Sequence, residues 1–199
     1  MAFAPFIAFA IVAQFAGMTV GLASGAFVSG AMISYASMRH HKAVKVLEGG
    51  TLLLFAGLTA YAVIAGPRLS IVAVRLCVDG GLLAIVLASM AIRQPFTLQY
   101  ARETEPKEIW TQPTFIRSNY IITVVWAAAF AVMTLADLVM IYLPHVPKWA
   151  SIAAIVLAFV AAFRFTGWYP KKLRAAMPPP PVAAEPGTET SANRPLYFN

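Results

Sequence analysis

"LSIVAVRLCVDGGLLAIVLASMAI", residues 69–92, decides the fold. It is apolar from end to end except for Arg75 and Asp79. About 20 residues of helix, at 1.5 Å each, cross the roughly 30 Å of hydrocarbon in a bilayer. The run therefore predicts a membrane span, and the two charges inside it need an explanation.

Working outward, three more spans read clearly: His41–Ala65, Asn119–Leu143 and Trp149–Trp168. Trp149 and Trp168 bracket the last, and Tyr120 and Tyr142 the one before, as an aromatic belt at each interface requires. The opening stretch, Phe3–Met38, would run about 54 Å as one helix. It is either one long tilted helix or a half-span near Pro5–Ala16 followed by a full span near Met18–Met38. A full span ending at Met38 is expected, with residues 1–17 left open.

The whole composition agrees. Of 199 residues, 60% are hydrophobic and 12% charged, with mean hydropathy +0.73. Soluble domains carry about twice that charge. The net charge of +7 would suggest nucleic acid in a soluble protein. Here basic residues collect in loops, so no nucleic-acid partner is expected. Cys77 is the one cysteine, which excludes an internal disulfide and a cysteine-based metal site. The first charged residue is Arg39, so the basic start of a signal peptide is missing and the N-terminus is expected to be retained.

Orientation follows from Lys and Arg. Arg39, Lys42 and Lys45, then Arg93, Arg102, Lys107 and Arg117, then Lys171, Lys172, Arg174 and Arg194 occupy alternate connections. The other connections hold Arg68 and Lys148. Eleven against two places the rich side, and the C-terminus, in the cytoplasm. The connection "RQPFTLQYARETEPKEIWTQPTFIRSNY", 93–120, interleaves Phe96, Tyr100 and Trp110 with charges such as Arg102. It reads as short amphipathic segments in the headgroup layer, with a helix start at Thr104-Glu105-Pro106. The expected fold is an all-α polytopic transmembrane bundle of about five spans over residues 1–174. Residues 175–199, with "PPPP" and then Gly, Thr, Glu, Ser and Asn, read as a disordered tail.

The order of features resembles that of the intracellular septation protein A family of bacterial inner-membrane proteins. "ASGA" (23–26) lies in the first full span and "RHHKAVKV" (39–46) leads into the second. "RQPF" (93–96) closes the third, "VVWAAAF" (124–130) lies in the fourth, and "YLP" (142–144) ends it. "QPFTLQYARE" (94–103) departs from the family's loop. The resemblance implies a role in cell envelope synthesis and septation without enzymatic activity.

Three groups of residues invite chemistry. Arg75 and Asp79 are four apart and share a helix face. Asp137 falls at a similar depth in the next span, in the outer half of the membrane. A charge at mid-bilayer costs about 2.5–3.5 kcal/mol. The economical arrangement is one interior cluster, with Arg75 forking between the carboxylates. It reads as a structural clamp, as a proton or ion path, or as side chains that snorkel separately. Gly17, Gly21, Gly25 and Ser29 form a stripe at strict spacing of four, suited to close helix packing in the chain or between copies. Bulk at Gly21 is expected to disturb assembly far more than truncation of Leu22. His40, His41 and His145 cannot supply two facing haem ligands, and no cofactor, catalytic set or metal site is expected.

The expectation is a non-enzymatic scaffold or accessory factor of the inner membrane. Its partners would be lipid, envelope or division proteins and, if the stripe self-associates, a second copy. The alternative is a small transporter or channel using Arg75, Asp79 and Asp137. A third reading is an enzyme acting on lipid from the loop.

Overall fold

The computed structural model describes residues 3–40, 44–66, 70–143 and 145–175. The tail beyond 175 and His41 lie outside the described residues. Seven helices and one 3-10 turn follow in order, with no strand among the described residues. They are α1 (Ala4–Ala16), α2 (Met18–His40), α3 (Val46–Ala65), α4 (Ile71–Ala91), α5 (Phe96–Thr104), the turn Lys107–Ile109, α6 (Pro113–Tyr142) and α7 (Lys148–Ala175). Helices α2, α3, α4, α6 and α7 are each long and apolar enough to cross a membrane. Large apolar side chains such as Phe27, Leu53, Ile64 and Trp149 stay exposed on the outside of the bundle. Water would not tolerate that much apolar surface, but lipid does. The chain is an all-α polytopic membrane protein.

Residues 1–17, left open by the sequence, contain a half-span. Helix α1 is 13 residues long, about 20 Å, too short to cross. It ends at Gly17, whose φ of 89° breaks the chain between α1 and α2. L-residues avoid that conformation, so glycine is needed there for its backbone. Gly17 is thus the hinge before α2 rather than a step of the stripe. Gly21 and Gly25 do serve close approach. A Cβ on Gly21 would lie 2.6 Å from the Ala13 Cβ of α1, and one on Gly25 would lie 2.8 Å from the Phe55 ring of α3. Ser29 is buried and donates its hydroxyl to the Gly25 carbonyl. Leu22, expected to tolerate truncation, is fully buried in the core.

The half-span has a clear packing role. Phe3, Phe6 and Phe9 repeat every three residues along one side of α1. Phe6 and Phe9 meet Phe55 of α3 at 5.2 and 5.6 Å between ring centres. Phe3 stacks on Trp126 of α6 at 5.2 Å and meets Phe159 of α7 edge-on at 5.8 Å. Helix α1 is a wedge whose inner end fills the middle of the bundle with aromatic rings.

Two boundaries differ from the sequence reading. Helix α6 begins at Pro113, well before Asn119, because proline suits the first turn of a helix. No helix starts at Thr104. Instead α5 ends there, and Glu105 is extended ahead of Pro106, the conformation a following proline imposes.

Candidate functional site

Two charged assemblies lie at opposite ends of the bundle. The far end holds the cluster expected from the sequence. Ser70 starts α4 by accepting a hydrogen bond from the Ala73 amide. This start puts Arg75 about 6 Å and Asp79 about 12 Å along the helix. Asp137 lies about 8 Å before the end of α6 at Tyr142. Arg75 Nη2 is 3.6 Å from Asp137 Oδ1, joining α4 to α6. Asp79 is within electrostatic range of both. Asp137 is 0% exposed and Asp79 8%, while Arg75 is about one-third exposed. At 3.6 Å the contact is an ion pair rather than a hydrogen bond. Both Asp137 oxygens are buried without a hydrogen-bond donor among the described residues.

At the other end, where Lys45, Arg93, Arg102, Lys107 and Lys171 gather, α5 closes over the bundle. Phe96 and Leu98 are buried in protein, and Tyr100 is half-buried. The apolar side of α5 therefore faces the bundle. Arg102 and Trp110 stay on the outside, with the guanidinium 5.7 Å from the indole centre. Helix α5 is tied to α4 by the Phe96 amide, which donates to Ser89 Oγ at 3.3 Å. It is tied to α6 by Thr97 Oγ1, which donates to the Asn119 carbonyl at 2.7 Å.

A second set of bonds latches α5 to the start of α3. Lys45 Nζ reaches Glu48 at 2.9 Å and Glu103 at 3.0 Å, and lies 4.4 Å over the Tyr100 ring. The Tyr100 hydroxyl donates to Glu48 at 3.3 Å. Gln99 Oε1 accepts from the Val46 amide at 2.9 Å and so satisfies an orphan donor of the α3 N-terminus. Burial pulls Lys45 toward a lower pKa, but its bonds to Glu48 and Glu103 outweigh this and hold it above the ordinary lysine value. Burial, reinforced by Glu48 and Glu103, pushes the Tyr100 hydroxyl well above the usual tyrosine range. Gln99, Glu48 and Glu103 went unnoticed in the sequence. Their spacing across two helices and a connection gives no local signal.

Behind α5 lies a cavity of about 470 Å³ between α1, α5, α6 and α7, lined by Phe3, Tyr100, Asn119, Trp126 and Thr166 among others. A neighbouring cavity of about 270 Å³ runs toward Gln112 and Leu173. Neither is lined by Arg75, Asp79 or Asp137. The three sequence-predicted charges are therefore brought together, while the cavities at the basic end lie elsewhere. Among the described residues no three His, Cys, Asp or Glu side chains are grouped to hold a metal. No family model matches this chain, nor does any curated protein or any solved structure.

Proposed function

We propose that this chain is a non-enzymatic scaffold or accessory factor of the bacterial inner membrane, acting in cell envelope synthesis or septation. Its basic end and C-terminus face the cytoplasm, as the distribution of Lys and Arg favours. The septation role rests on the resemblance to the septation protein A family. Its partners are lipid and other membrane proteins of the envelope or division machinery.

One observation carries the choice of scaffold over transporter. Asp137 is fully buried and its charge is met by Arg75 on the neighbouring helix. Charges held this way fix which helix faces join. The lipid-facing sides of the spans remain for partner proteins.

The test removes the charges together. A strain lacking the protein is complemented with the triple variant Arg75→Met, Asp79→Asn, Asp137→Asn. A scaffold needs the bundle and not the charges, so membrane yield and normal cell length both return. Normal yield with no recovery of cell length would replace the scaffold by a transporter. Reporter fusions at Arg102 and Ala184 check the orientation, and both should read as cytoplasmic.

A further inference from the structure

We propose that one water molecule is bound between α2 and α3, held by Thr51, Ser29 and Glu48, and that it joins the seam of these helices to the latch around Lys45. This site is independent of the scaffold role and stands whether or not that role is right.

Thr51 is the residue that calls for it. It lies on α3 about 8 Å from the helix start, in a span where lipid offers no hydrogen bonds. A hydroxyl on a membrane helix has an acceptor at hand, the carbonyl one turn back on its own helix. Ser29, Thr59, Thr123, Thr134 and Thr166 all donate to that carbonyl, at 2.7–2.9 Å. Thr51 does not. It is 2% exposed, and its Oγ1 is buried with no hydrogen-bond partner among the described residues. Leaving a buried hydroxyl unbonded is costly, so forgoing its own helix requires another acceptor.

The surroundings supply a place for that acceptor. Pro5, Ser29, Met32, Glu48 and Thr51 line a cavity of about 10 Å³. That is about the space the centre of one water needs, together with two to four polar neighbours. Three polar side chains are there. Ser29 gives its proton to the Gly25 carbonyl and keeps its lone pairs. Glu48 accepts from Lys45 and Tyr100 on one oxygen, Oε1, and a carboxylate offers about four acceptor sites. A water that accepts from Thr51 and donates to Glu48 and Ser29 makes three bonds, the usual number.

The occupant need carry no charge, because Lys45 already neutralises Glu48. A hard metal cation takes about six oxygens or more, beyond what these side chains provide. The water's place gives it an effect. Ser29 lies one turn beyond Gly25, which packs on Phe55 of α3, and Glu48 is the carboxylate that Lys45 and Tyr100 both grip. The water therefore couples helix packing in the membrane to the latch that holds α5.

The test is X-ray radiolytic labelling of the full chain in mild detergent, read by mass spectrometry. Radicals formed from an ordered water oxidise the side chains beside it, and a scavenger in the buffer suppresses those formed in bulk. Met32 is the reporter, since a thioether oxidises readily, and Met38, 82% exposed, reads the bulk. With scavenger, Met32 labelling should be equal in the native chain and Thr51→Ser and several-fold lower in Thr51→Val, with Met38 the same in all three. Thr59→Val removes a hydroxyl bonded to its own helix and should leave Met32 labelling unchanged. Equal labelling of Met32 in Thr51→Val and the native chain overturns the site. Valine copies the shape of threonine, so the melting temperature gives a second reading. With the water, Thr51→Val strands its acceptors and should melt about 2–4 °C lower. Melting at or above the native temperature would mean an orphan hydroxyl and overturns the proposal. Stabilisation by sodium over choline, present in the native chain and absent from Thr51→Val, overturns the water in favour of a cation.

Discussion

The pair Arg75–Asp137 and the latch around Lys45 are both charged contacts between helices, yet they are built in opposite ways. Asp137 lies fully inside the bundle, 3.6 Å from Arg75 and beside the Asp79 carboxyl. Lys45 has two carboxylates at 2.9 and 3.0 Å, a ring beneath it, and partial access to water. A dry pair is costly to make and costlier to break, because the survivor is left uncompensated. The latch is largely buried too, but every charged member keeps 13–28% of its side chain exposed and has more than one bond, so parting it leaves no fully buried charge behind. The first suits a permanent joint between α4 and α6, the second a local tie that holds α5 over the cavity behind it.

The largest expected effect breaks the dry pair. Arg75→Met should destabilise by about 3 kcal/mol, the low end of the range for orphaning a buried charge, since Arg75 is partly exposed. The triple variant Arg75→Met, Asp79→Asn, Asp137→Asn should lose less than Arg75→Met alone. Folded yield and melting temperature in detergent decide it. Strictly additive losses would show three independent sites rather than one network.

Next comes a packing change that calibrates both. A side chain at Gly21 meets the backbone of Ala13, with Cα and N both 2.9 Å from the new Cβ, so nothing can swing aside. Gly21→Leu should cost about 1–3 kcal/mol or more. Gly57→Ala, where a Cβ meets nothing within 4 Å, should be neutral or slightly stabilising. Thermal unfolding of the two variants compares them directly; equal losses would mean that α1 moves freely off α2.

Lys45→Met should sharpen the contrast by acting locally. Removing its bonds should cost about 1–2 kcal/mol, reduced because water reaches Glu103. Amide exchange should rise in α5 and stay unchanged in the middle of α6. A uniform rise through the bundle would make the latch part of the global fold.

The dry pair was legible in the sequence and the latch was not, for a physical reason. A charge inside a 20-residue apolar run is expensive wherever its partner sits, so Arg75, Asp79 and Asp137 announce themselves. Glu48, Gln99 and Glu103 are ordinary polar residues near a membrane surface, and only the docking of α5 makes them neighbours. The five spans were readable because bilayer thickness sets their length. The half-span was readable only as one of two alternatives, because α1 is shorter than that length and the contact that fixes it, Phe3 with Trp126, joins residues far apart in sequence. The repeat of Phe3, Phe6 and Phe9 was the available clue. Interleaved aromatics and charges at 93–120 left open which side of α5 faces protein; the buried Phe96 and Leu98 decide it.

The smallest effect concerns pH. Lys45 is held above its ordinary value of 10.5 and Tyr100 above its ordinary 10.0. In each case the folded state binds its proton more tightly than the unfolded one. Their contribution to stability is therefore complete below about pH 10 and is lost as pH rises above it. The dry pair contains neither group and should not respond in that window. Raising the pH from 8 to 11 should thus increase amide exchange in α5, beyond the general acceleration by hydroxide, with little change around Asp137. Tyrosinate absorbance gives a second reading. The difference between the full chain and Tyr100→Phe isolates Tyr100, which should ionise above the ordinary tyrosine value of 10.0. Lys45→Met removes the cation that favours tyrosinate but also loosens α5, and exposure dominates. Tyr100 should then ionise closer to pH 10, and an unchanged titration would mean that the latch does not hold Tyr100 in place.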